Sequence, residues 1–385
     1  MNYHFDEIIE RRNTGCVKWD ESADGVLPLW VADMDFAVAP AIQKAIRKRA
    51  EHPIFGYTYV QENYYEAIIS WFKRRHQWTI AREHILYTIG VVPAMSVAIK
   101  ALSMPGEKIL ILSPDYNCFF SSVRNNGCEV SESILLRYKR NRHDHFEVNW
   151  DDFEAKCADE KCTVFLLCNP HNPTGRVWNR EELQHMSDIC HRHGVRIVSD
   201  EIHCELMMPG VSFCPMGTVD KSAIILNSPS KSFNIAGLQT ANIICTDAAT
   251  RRRIDRAINI NEVCDLNPFG PVALLAAYNE SEDWIDELNQ YLWDNYTALS
   301  DYVGKNIPEW EVMPLEGTYL VWVDVSKCCD DVAAYCDHLQ QEAKVWLNPG
   351  TMYGPESGRG YLRINIACPR KLLMEALERI TKIKK

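Results

Sequence analysis

One lysine stands in a setting that suits covalent chemistry. Lys231 lies in segment 227–234 (NSPSKSFN), which is rich in small hydroxyl residues and directly follows a short apolar run. Ligands bind at strand ends in open α/β sheets, and a lysine amine there can form a Schiff base with a carbonyl group. The hydroxyls of Ser228 and Ser230 can bind a phosphate beside it. A solvent-exposed lysine on a strand-end loop would give the same local pattern, so Lys231 needs supporting residues.

Polar residues follow two further apolar runs. Asp200 ends one of them, and a carboxylate there can pair with the protonated ring nitrogen of a pyridine-type cofactor. The alternative for Asp200 is a helix N-cap. His203 can bond a ring hydroxyl or merely lie on a helix face. Asn172, in the turn-forming segment 168–175, can donate an amide hydrogen bond into the same cleft, unless that loop is purely structural.

Two other segments can bind the charged ends of a ligand. Gly90 precedes a helical pattern, so the N–H groups of Val91 and Val92 can approach an anion at a helix N-terminus, although a simple turn would look the same. Arg363 lies in a strand-like segment between Leu362 and Ile364. Alternation would aim its guanidinium at one face, where it can clamp a carboxylate or form a surface salt bridge.

The elements that must position these residues alternate along the chain. The apolar runs that predict buried strands are 108–112, 163–168, 196–199, 223–226 and 241–245. Helical patterns such as 180–193 lie between several of them, and another helix is expected over 41–50. This alternation predicts an α/β fold with a mostly parallel sheet covered by helices.

The pattern of predicted elements changes after about residue 281. Helices are predicted over 284–303, 331–342 and 371–383, and strands over 318–324 and 360–366. These elements indicate a smaller α+β domain. We therefore expect residues 1–54 to form an N-terminal arm and part of the small domain, 55–282 the large domain, and 283–385 the C-terminal small domain.

Composition limits the possible functions. The chain has 385 residues, of which 46% are hydrophobic, and a formal net charge of -11. An acidic chain without a basic stripe argues against nucleic-acid binding. The absence of an N-terminal signal pattern or a long apolar run predicts a cytoplasmic protein without membrane association. Fifteen cysteines lack framework or metal-ligand spacing, so we expect reduced thiols and no bound metal.

Taken together, these residues resemble the fold-type I pyridoxal 5'-phosphate (PLP) enzymes, the aspartate-aminotransferase-like superfamily. The resemblance runs in the right order over nearly the whole chain. The matching positions are Gly90-Val91-Val92, Tyr116, Asn172-Pro-Thr-Gly, Asp200, Ser228-x-x-Lys231 and Arg363.

A narrower set of segments is similar to the MalY/PatB subfamily of cystathionine β-lyases. These segments are 18–20 (KWD), 32–36 (ADMDF), 55–57 (FGY), 199–203 (SDEIH), 230–239 (SKSFNIAGLQ) and 367–370 (ACPR). Aminotransferases usually carry Tyr where His203 stands and Arg where Gln239 stands. Both departures are typical of the lyase subfamily, although Gln239 leaves open what replaces the arginine at the phosphate.

The resemblance implies a role for each matching residue. Lys231 holds the cofactor covalently, Asp200 pairs with its ring nitrogen, and Tyr116 stacks on its ring. Asn172 and His203 hydrogen-bond the ring oxygen. The phosphate is held by Gly90, Val91, Val92, Ser228 and Ser230.

The same resemblance implies how the substrate is bound. Arg363 binds the substrate α-carboxylate, with Asn172 nearby. Tyr57 reaches into the site from the second subunit of a homodimer, so the active site lies at the subunit interface. Lys231, Tyr116 and Asp200 are the expected catalytic residues.

The implied reaction is α,β-elimination from L-cystathionine or a related L-cysteine S-conjugate, which gives a thiol, pyruvate and ammonia. One alternative is an aminotransferase on the same scaffold, because fold alone does not fix the reaction. Another is a MalY-like regulatory protein that binds a partner protein. The sequence does not identify the physiological thioether, and Trp30 and Phe36 are candidate residues of its pocket.

Overall fold

The computed structural model describes residues 3–140 and 143–383, and within them the chain alternates between helices and strands along most of its length. The α-helices are α1 Val17–Asp20, α2 Pro40–Ala50, α3 Glu62–His76, α4 Val91–Leu102, α5 Asn117–Asn125, α6 Trp150–Cys157, α7 Arg180–His193, α8 Ala248–Ile260, α9 Phe269–Glu280, α10 Glu282–Asn306, α11 Val332–His338 and α12 Arg370–Ile383. The strands are β1 Leu27–Pro28, β2 Ile85–Thr88, β3 Lys108–Ser113, β4 Glu129–Ile134, β5 Leu136–Arg140, β6 His143–Glu147, β7 Cys162–Cys168, β8 Arg196–Asp200, β9 Ile224–Asn227, β10 Ala241–Ile244, β11 Glu311–Val312, β12 Leu320–Asp324, β13 Val345–Trp346, β14 Asn348–Pro349 and β15 Tyr361–Asn365.

Seven strands form the central sheet, in the order β2-β10-β9-β8-β7-β3-β4. Neighbouring strands from β4 to β9 are parallel, whereas β10 runs antiparallel to both β9 and β2. The predicted mostly parallel sheet is confirmed, but the segment expected over 241–245 forms the one reversed strand of this sheet. No α-helix lies between β9 and β10, so the chain returns directly beside itself in the opposite direction.

The inner strands of the sheet are buried on both faces, which explains their continuous apolar sequences, whereas the edge strand β4 is more exposed. On β3, Ile109 and Ile111 pack in the core that α4 and α8 cover, while Leu110 and Leu112 point into the core on the other face. Because side chains alternate along a strand, the inner strands contribute to both cores.

Helix α7 shows why local patterns predicted several helices well. Asn179 caps its N-terminus and forms a reciprocal capping box with Glu182, and Gly194 ends it with φ +72°. A left-handed residue at that position favours glycine. The helix spans Arg180–His193, as its sequence predicted.

A second, antiparallel sheet has the order β11-β12-β15-β14 and packs with α10 and α11, while α12 packs against α10. The predicted long helix over 284–303 is α10, and the predicted strand over 360–366 is β15. The helix expected over 331–342 is shorter, because α11 ends at His338 and a π-helical turn, Leu339–Ala343, follows it.

The described residues contain no helix that is both long enough and apolar enough to cross a membrane. Within the same residues no cysteine forms a disulfide.

Candidate active site

The polar segments singled out in the sequence converge at one edge of the central sheet. The parallel strands β3, β7, β8 and β9 all end there, and the loops that leave them enclose a cleft of about 180 Å³. Its lining is Ala32, Ile89, Gly90, Val91, Val92, Pro93, Tyr116, Cys168, Asn172, Asp200, Ile202, His203, Ser230, Lys231, Ala236, Gln239 and Thr240.

Lys231 follows β9 in a tight turn. Ser228 Oγ donates to Thr240 O at 2.6 Å and accepts from Ser230 N at 3.0 Å, which fixes the turn against the start of β10. The Lys231 amine donates to Ala32 O at 2.7 Å. Burial, together with the positive charge of Arg363, lowers the pKa of Lys231 to about 8. A lysine whose pKa lies this close to neutral pH can supply an unprotonated amine for covalent or base chemistry.

Asp200 ends β8, next to Lys231. Its side chain is buried, and its Oδ1 accepts from the backbone N–H of Ile202 at 3.1 Å. Burial raises the pKa of Asp200 from its ordinary 3.8 to about 7, against the lowering effects of that hydrogen bond and of Lys231. A turn follows Asp200 and no helix begins there, so the N-cap alternative is wrong.

His203 lies in this turn, so the helix-face alternative for it is wrong as well. Its ring packs edge-on against Tyr319 with a centroid distance of 5.8 Å. Its Nδ1 is buried without a hydrogen-bond partner in the described part of the chain. Burial, Lys231 and Arg363 lower the pKa of His203 well below 6.5, so the ring is neutral and can donate one hydrogen bond.

Arg363 contacts Asn172, which lines the cleft. Arg363 lies on β15 and donates from Nη1 to Asn172 Oδ1 at 3.1 Å and from Nη2 to Trp30 O at 2.8 Å. Its guanidinium also lies 4.7 Å from the ring centroid of Tyr353. The Nε of Arg363 is buried without a partner among the described residues. A buried guanidinium with an unused donor is suited to an incoming carboxylate.

The N-terminus of α4 forms the anion-binding end of the cleft. Gly90 is its N-cap residue, no side chain of the described residues caps the helix, and its first turn holds no acidic residue. The N–H groups of Val91 and Val92 therefore remain available to a phosphate. Gln239 lines the same end, and its Nε2 donates to Ala236 O at 2.8 Å.

Four other predicted residues differ in whether they reach the cleft. Tyr116 lines the cleft at the start of α5, and its backbone N–H donates to Asp115 Oδ1 at 2.7 Å. Ser228 lies behind the cleft wall, where its hydroxyl binds backbone groups. Tyr57 is 96% exposed and is not part of the cleft in a single chain. Phe36 packs in the core against Phe5, so its suggested place in the pocket is wrong.

Sequence reasoning missed several groups at the site. Ala32 contributes a backbone carbonyl, which also accepts from Tyr319 Oη at 2.8 Å. Asp115 is fully buried, and its Oδ2 has no partner in the described part of the chain. Asp115 could have been found from the sequence because it is adjacent to Tyr116. The Ala32 carbonyl could not, since every residue has a backbone carbonyl.

The orphaned groups of the cleft fit the parts of PLP. Asp200 faces the cleft as a buried acid without a cationic hydrogen-bond partner among the described residues, which matches a pyridine nitrogen. His203 and Asn172 can serve the ring oxygen, and the start of α4 can serve the phosphate. Lys231 supplies the amine.

A second polar cluster lies behind the turn that carries His203. His76 Nε2 and Glu205 Oε1 are 2.6 Å apart, and the thiol of Cys204 lies near both. Trp71 Nε1 also donates to Glu205 Oε1 at 2.7 Å, and Arg75 Nε lies 3.5 Å from Glu205 Oε2. These donors already satisfy the Glu205 carboxylate. We therefore describe the cluster as an ion pair between Arg75 and the buried Glu205.

Comparisons with known proteins agree with this geometry. Residues 24–380 match the family model described as aminotransferase class I and II. The chain is 36% identical to the cystathionine β-lyase PatB of Bacillus subtilis, over 98% of each chain. It is 34% identical to protein MalY of Escherichia coli, over 96% of each. The structure of a PLP-bound C–S lyase from Staphylococcus hominis superposes with a TM-score of 0.91 at 34% identity, covering 98% of both chains.

Proposed function

Because this chain belongs to the class I and II aminotransferase family, and within it to the group of PatB and MalY, we propose that it is a PLP-dependent C–S β-lyase. Its proposed substrate is L-cystathionine or a related L-cysteine S-conjugate. The proposed products are a thiol, pyruvate and ammonia, with homocysteine as the thiol from cystathionine.

One observation carries the proposal. The Lys231 amine, whose pKa is lowered to about 8, lines a cleft with Asp200 and is close enough to the buried guanidinium of Arg363 for that charge to lower its pKa. An amino acid bound by its carboxylate at Arg363 would present its amine and Cα toward Lys231. That arrangement suits proton removal at Cα.

When bound, PLP supplies an electron sink for negative charge at the substrate Cα. Asp200 would keep that sink strong by holding a proton on the ring nitrogen, since a buried carboxylate pairs best with a cation. Asn172 and His203 would orient the ring through its oxygen. Gly90, Val91, Val92 and Ser230 would hold the phosphate, with Ser228 fixing the turn behind them.

Lys231 would carry the proton through the reaction. As a neutral amine it accepts the proton from Cα, and as an ammonium it can return that proton to the departing sulphur. Tyr116, at the cleft wall, is a second candidate donor to the sulphur. Burial raises the pKa of Tyr116, so its hydroxyl keeps its proton at neutral pH. The released enamine then takes up water and yields pyruvate and ammonia.

The exposed segment 54–59 supports a homodimer. Ile54, Phe55, Tyr57 and Tyr59 are all large side chains with most of their surface exposed in the single chain. A contiguous apolar patch of this kind marks an interface. We propose that a second copy covers it and that Tyr57 enters the partner subunit's cleft to contact cofactor and substrate.

The test is an absorbance scan of the purified protein followed by addition of L-cystathionine without a keto acid. We expect the visible band of a lysine-bound PLP and continuous pyruvate release, and we expect both to be lost in Lys231→Ala. Conversion of cystathionine to its own keto acid, with amination of an added keto acid and without pyruvate release, would identify an aminotransferase. Absence of the band after reconstitution with PLP would overturn the proposal.

A further inference from the structure

Two backbone carbonyls of segment 30–36 hold the two cationic side chains of the site. Ala32 O accepts from Lys231 Nζ at 2.7 Å, and Trp30 O accepts from Arg363 Nη2 at 2.8 Å. The positions of both side chains therefore depend on where the backbone of this segment lies. A carbonyl has no rotamer of its own, so only the surroundings of the segment can fix it.

Four charged residues hold this segment, and we call them the ionic tetrad: Arg11, Lys18, Asp33 and Asp35. Lys18 has no exposed surface, and its Nζ lies 2.7 Å from Asp35 Oδ2 and 3.6 Å from Asp33 Oδ1. Arg11 Nη1 lies 2.5 Å from Asp35 Oδ1, and its Nη2 lies 2.7 Å from Asp33 Oδ2. The four formal charges balance.

Neutral hydrogen bonds support the same backbone. Asn365 Nδ2 donates to Val31 O at 2.6 Å and to Asp33 O at 2.7 Å. Asn234, three residues beyond Lys231, donates to Met34 O at 3.0 Å. Segment 30–36 is thus hydrogen-bonded both to β15 and to the turn that carries Lys231.

We propose that the ionic tetrad is a positioning device that fixes the Ala32 and Trp30 carbonyls, and through them the free amine of Lys231 and the guanidinium of Arg363. The proposal rests on the proposed function for what these two side chains do. A buried charge pair tolerates little displacement, because few other partners are available to compensate it. Displacement of a catalytic group by about 1 Å can cost about 10²-fold in rate.

The first test compares two buried Asp→Asn variants. Asp35→Asn removes the charge that Lys18 and Arg11 share. Asp220→Asn is the matched control, since Asp220 is 7% exposed against 5% for Asp35 and pairs with His191 at 3.0 Å. Asp220 precedes β9, whereas Lys231 follows the other end of that strand. We expect kcat/KM to fall by about tenfold or more in Asp35→Asn, with lower kcat and higher KM, and to change less than about twofold in the control.

Stability must be separated from positioning. In Asp35→Asn, the buried Lys18 loses its closest counter-charge. Adding Lys18→Met removes that buried cation, so the free energy of unfolding should recover in part. We expect kcat and KM to stay impaired in this double variant. Recovery of both constants with stability would show a purely structural tetrad and overturn the proposal. If Asp35→Asn does not fold, Asp33→Asn takes its place, since the Asp33 side chain is 22% exposed.

The last readout does not use turnover. Acetylation of the cofactor-free chain at a series of pH values, followed by mass spectrometry, gives the half-labelling pH of Lys231. Ala32 O favours the charged amine, so Asp35→Asn should move that pH downward while Asp220→Asn leaves it unchanged. An unchanged or higher value would overturn the proposal. Because this measurement needs no lyase activity, it can fail or succeed independently of the proposed function.

Discussion

Asp35 and Asp200 are buried to nearly the same extent, with 5% and 6% of their surface exposed, yet their pKa values shift in opposite directions. Burial alone would raise both. Around Asp35, the charges of Lys18 and Arg11 and hydrogen bonds from Lys18 and Trp19 outweigh burial, so its pKa lies below the ordinary value. Around Asp200 burial dominates, and its pKa rises to about 7.

The difference separates two uses of a buried acid. Asp35 has its partners within the chain, so it contributes to the stability and geometry of segment 30–36. Asp200 faces a cleft with His203 and Arg363, each of which also keeps a buried nitrogen without a partner among the described residues. Unsatisfied buried groups cost folding free energy, so a cluster of them is typical of a ligand site.

The largest expected effect is the loss of activity in Asp200→Asn. The amide keeps the shape of the side chain but not the negative charge, so it cannot hold a proton on a ring nitrogen. We expect kcat to fall by about 10²- to 10³-fold, with stability against urea unchanged or higher. A variant with kcat within about tenfold of the parent would contradict the assigned role.

The second-largest effect is expected on the free energy of unfolding of Asp35→Asn. Asp35→Asn leaves Lys18 buried without its closest counter-charge, and breaking such a pair typically costs about 3 kcal/mol. Urea unfolding monitored by tryptophan fluorescence measures this. A loss below about 1 kcal/mol would mean that Asp33 alone compensates both cations.

A smaller effect should appear in the pH dependence of the cofactor-free protein. Folding raises the pKa of Asp200 from 3.8 to about 7 and that of Glu201 from 4.5 to about 8, in both cases mainly through burial. As pH rises, these two carboxyl groups therefore lose their protons at lower pH in the unfolded chain than in the folded one. The stability that these acids provide is complete below their ordinary pKa values and is lost as pH rises through the raised ones.

We expect a net fall of about 1–2 kcal/mol in the free energy of unfolding between about pH 5 and about pH 7, because the buried neutral His171 and His203, whose pKa values are lowered, offset part of the larger fall that the two acids alone would give. The slope should be shallower in Asp200→Asn. Unfolding curves at several pH values test this, and a steeper slope in the variant would argue against a buried, unpaired Asp200.

The smallest effect is expected for Glu201→Gln. Glu201 Oε1 accepts from Met216 N at 2.8 Å and from Ser199 Oγ at 3.0 Å, away from the cleft. Since the raised pKa leaves Glu201 largely neutral at pH 7, glutamine is close to its native state. Stability should change by less than about 1 kcal/mol. A large loss of kcat with intact stability would show that Glu201, and not Asp200 alone, serves the site.

Much of the fold could be predicted from local patterns. Helix α7 has its own capping residues, and the strands of the central sheet are short apolar runs between turn residues. The sequence was enough to place Lys231, Asp200 and Asn172 together, because each follows a strand of one parallel set. The direction of β10 could not be predicted in this way, since an apolar run reads the same in either direction.

The helices, the strands and the residue types at their ends follow from the sequence alone, because periodicity and capping are encoded within a few residues. Which distant groups meet follows from the folded chain. Arg363 reaches Asn172 across 191 positions of the chain, and the carbonyl of Ala32 meets Lys231 across 199. Such contacts depend on strand order and on how the N-terminal segment crosses the sheet edge, and neither is written in any local pattern.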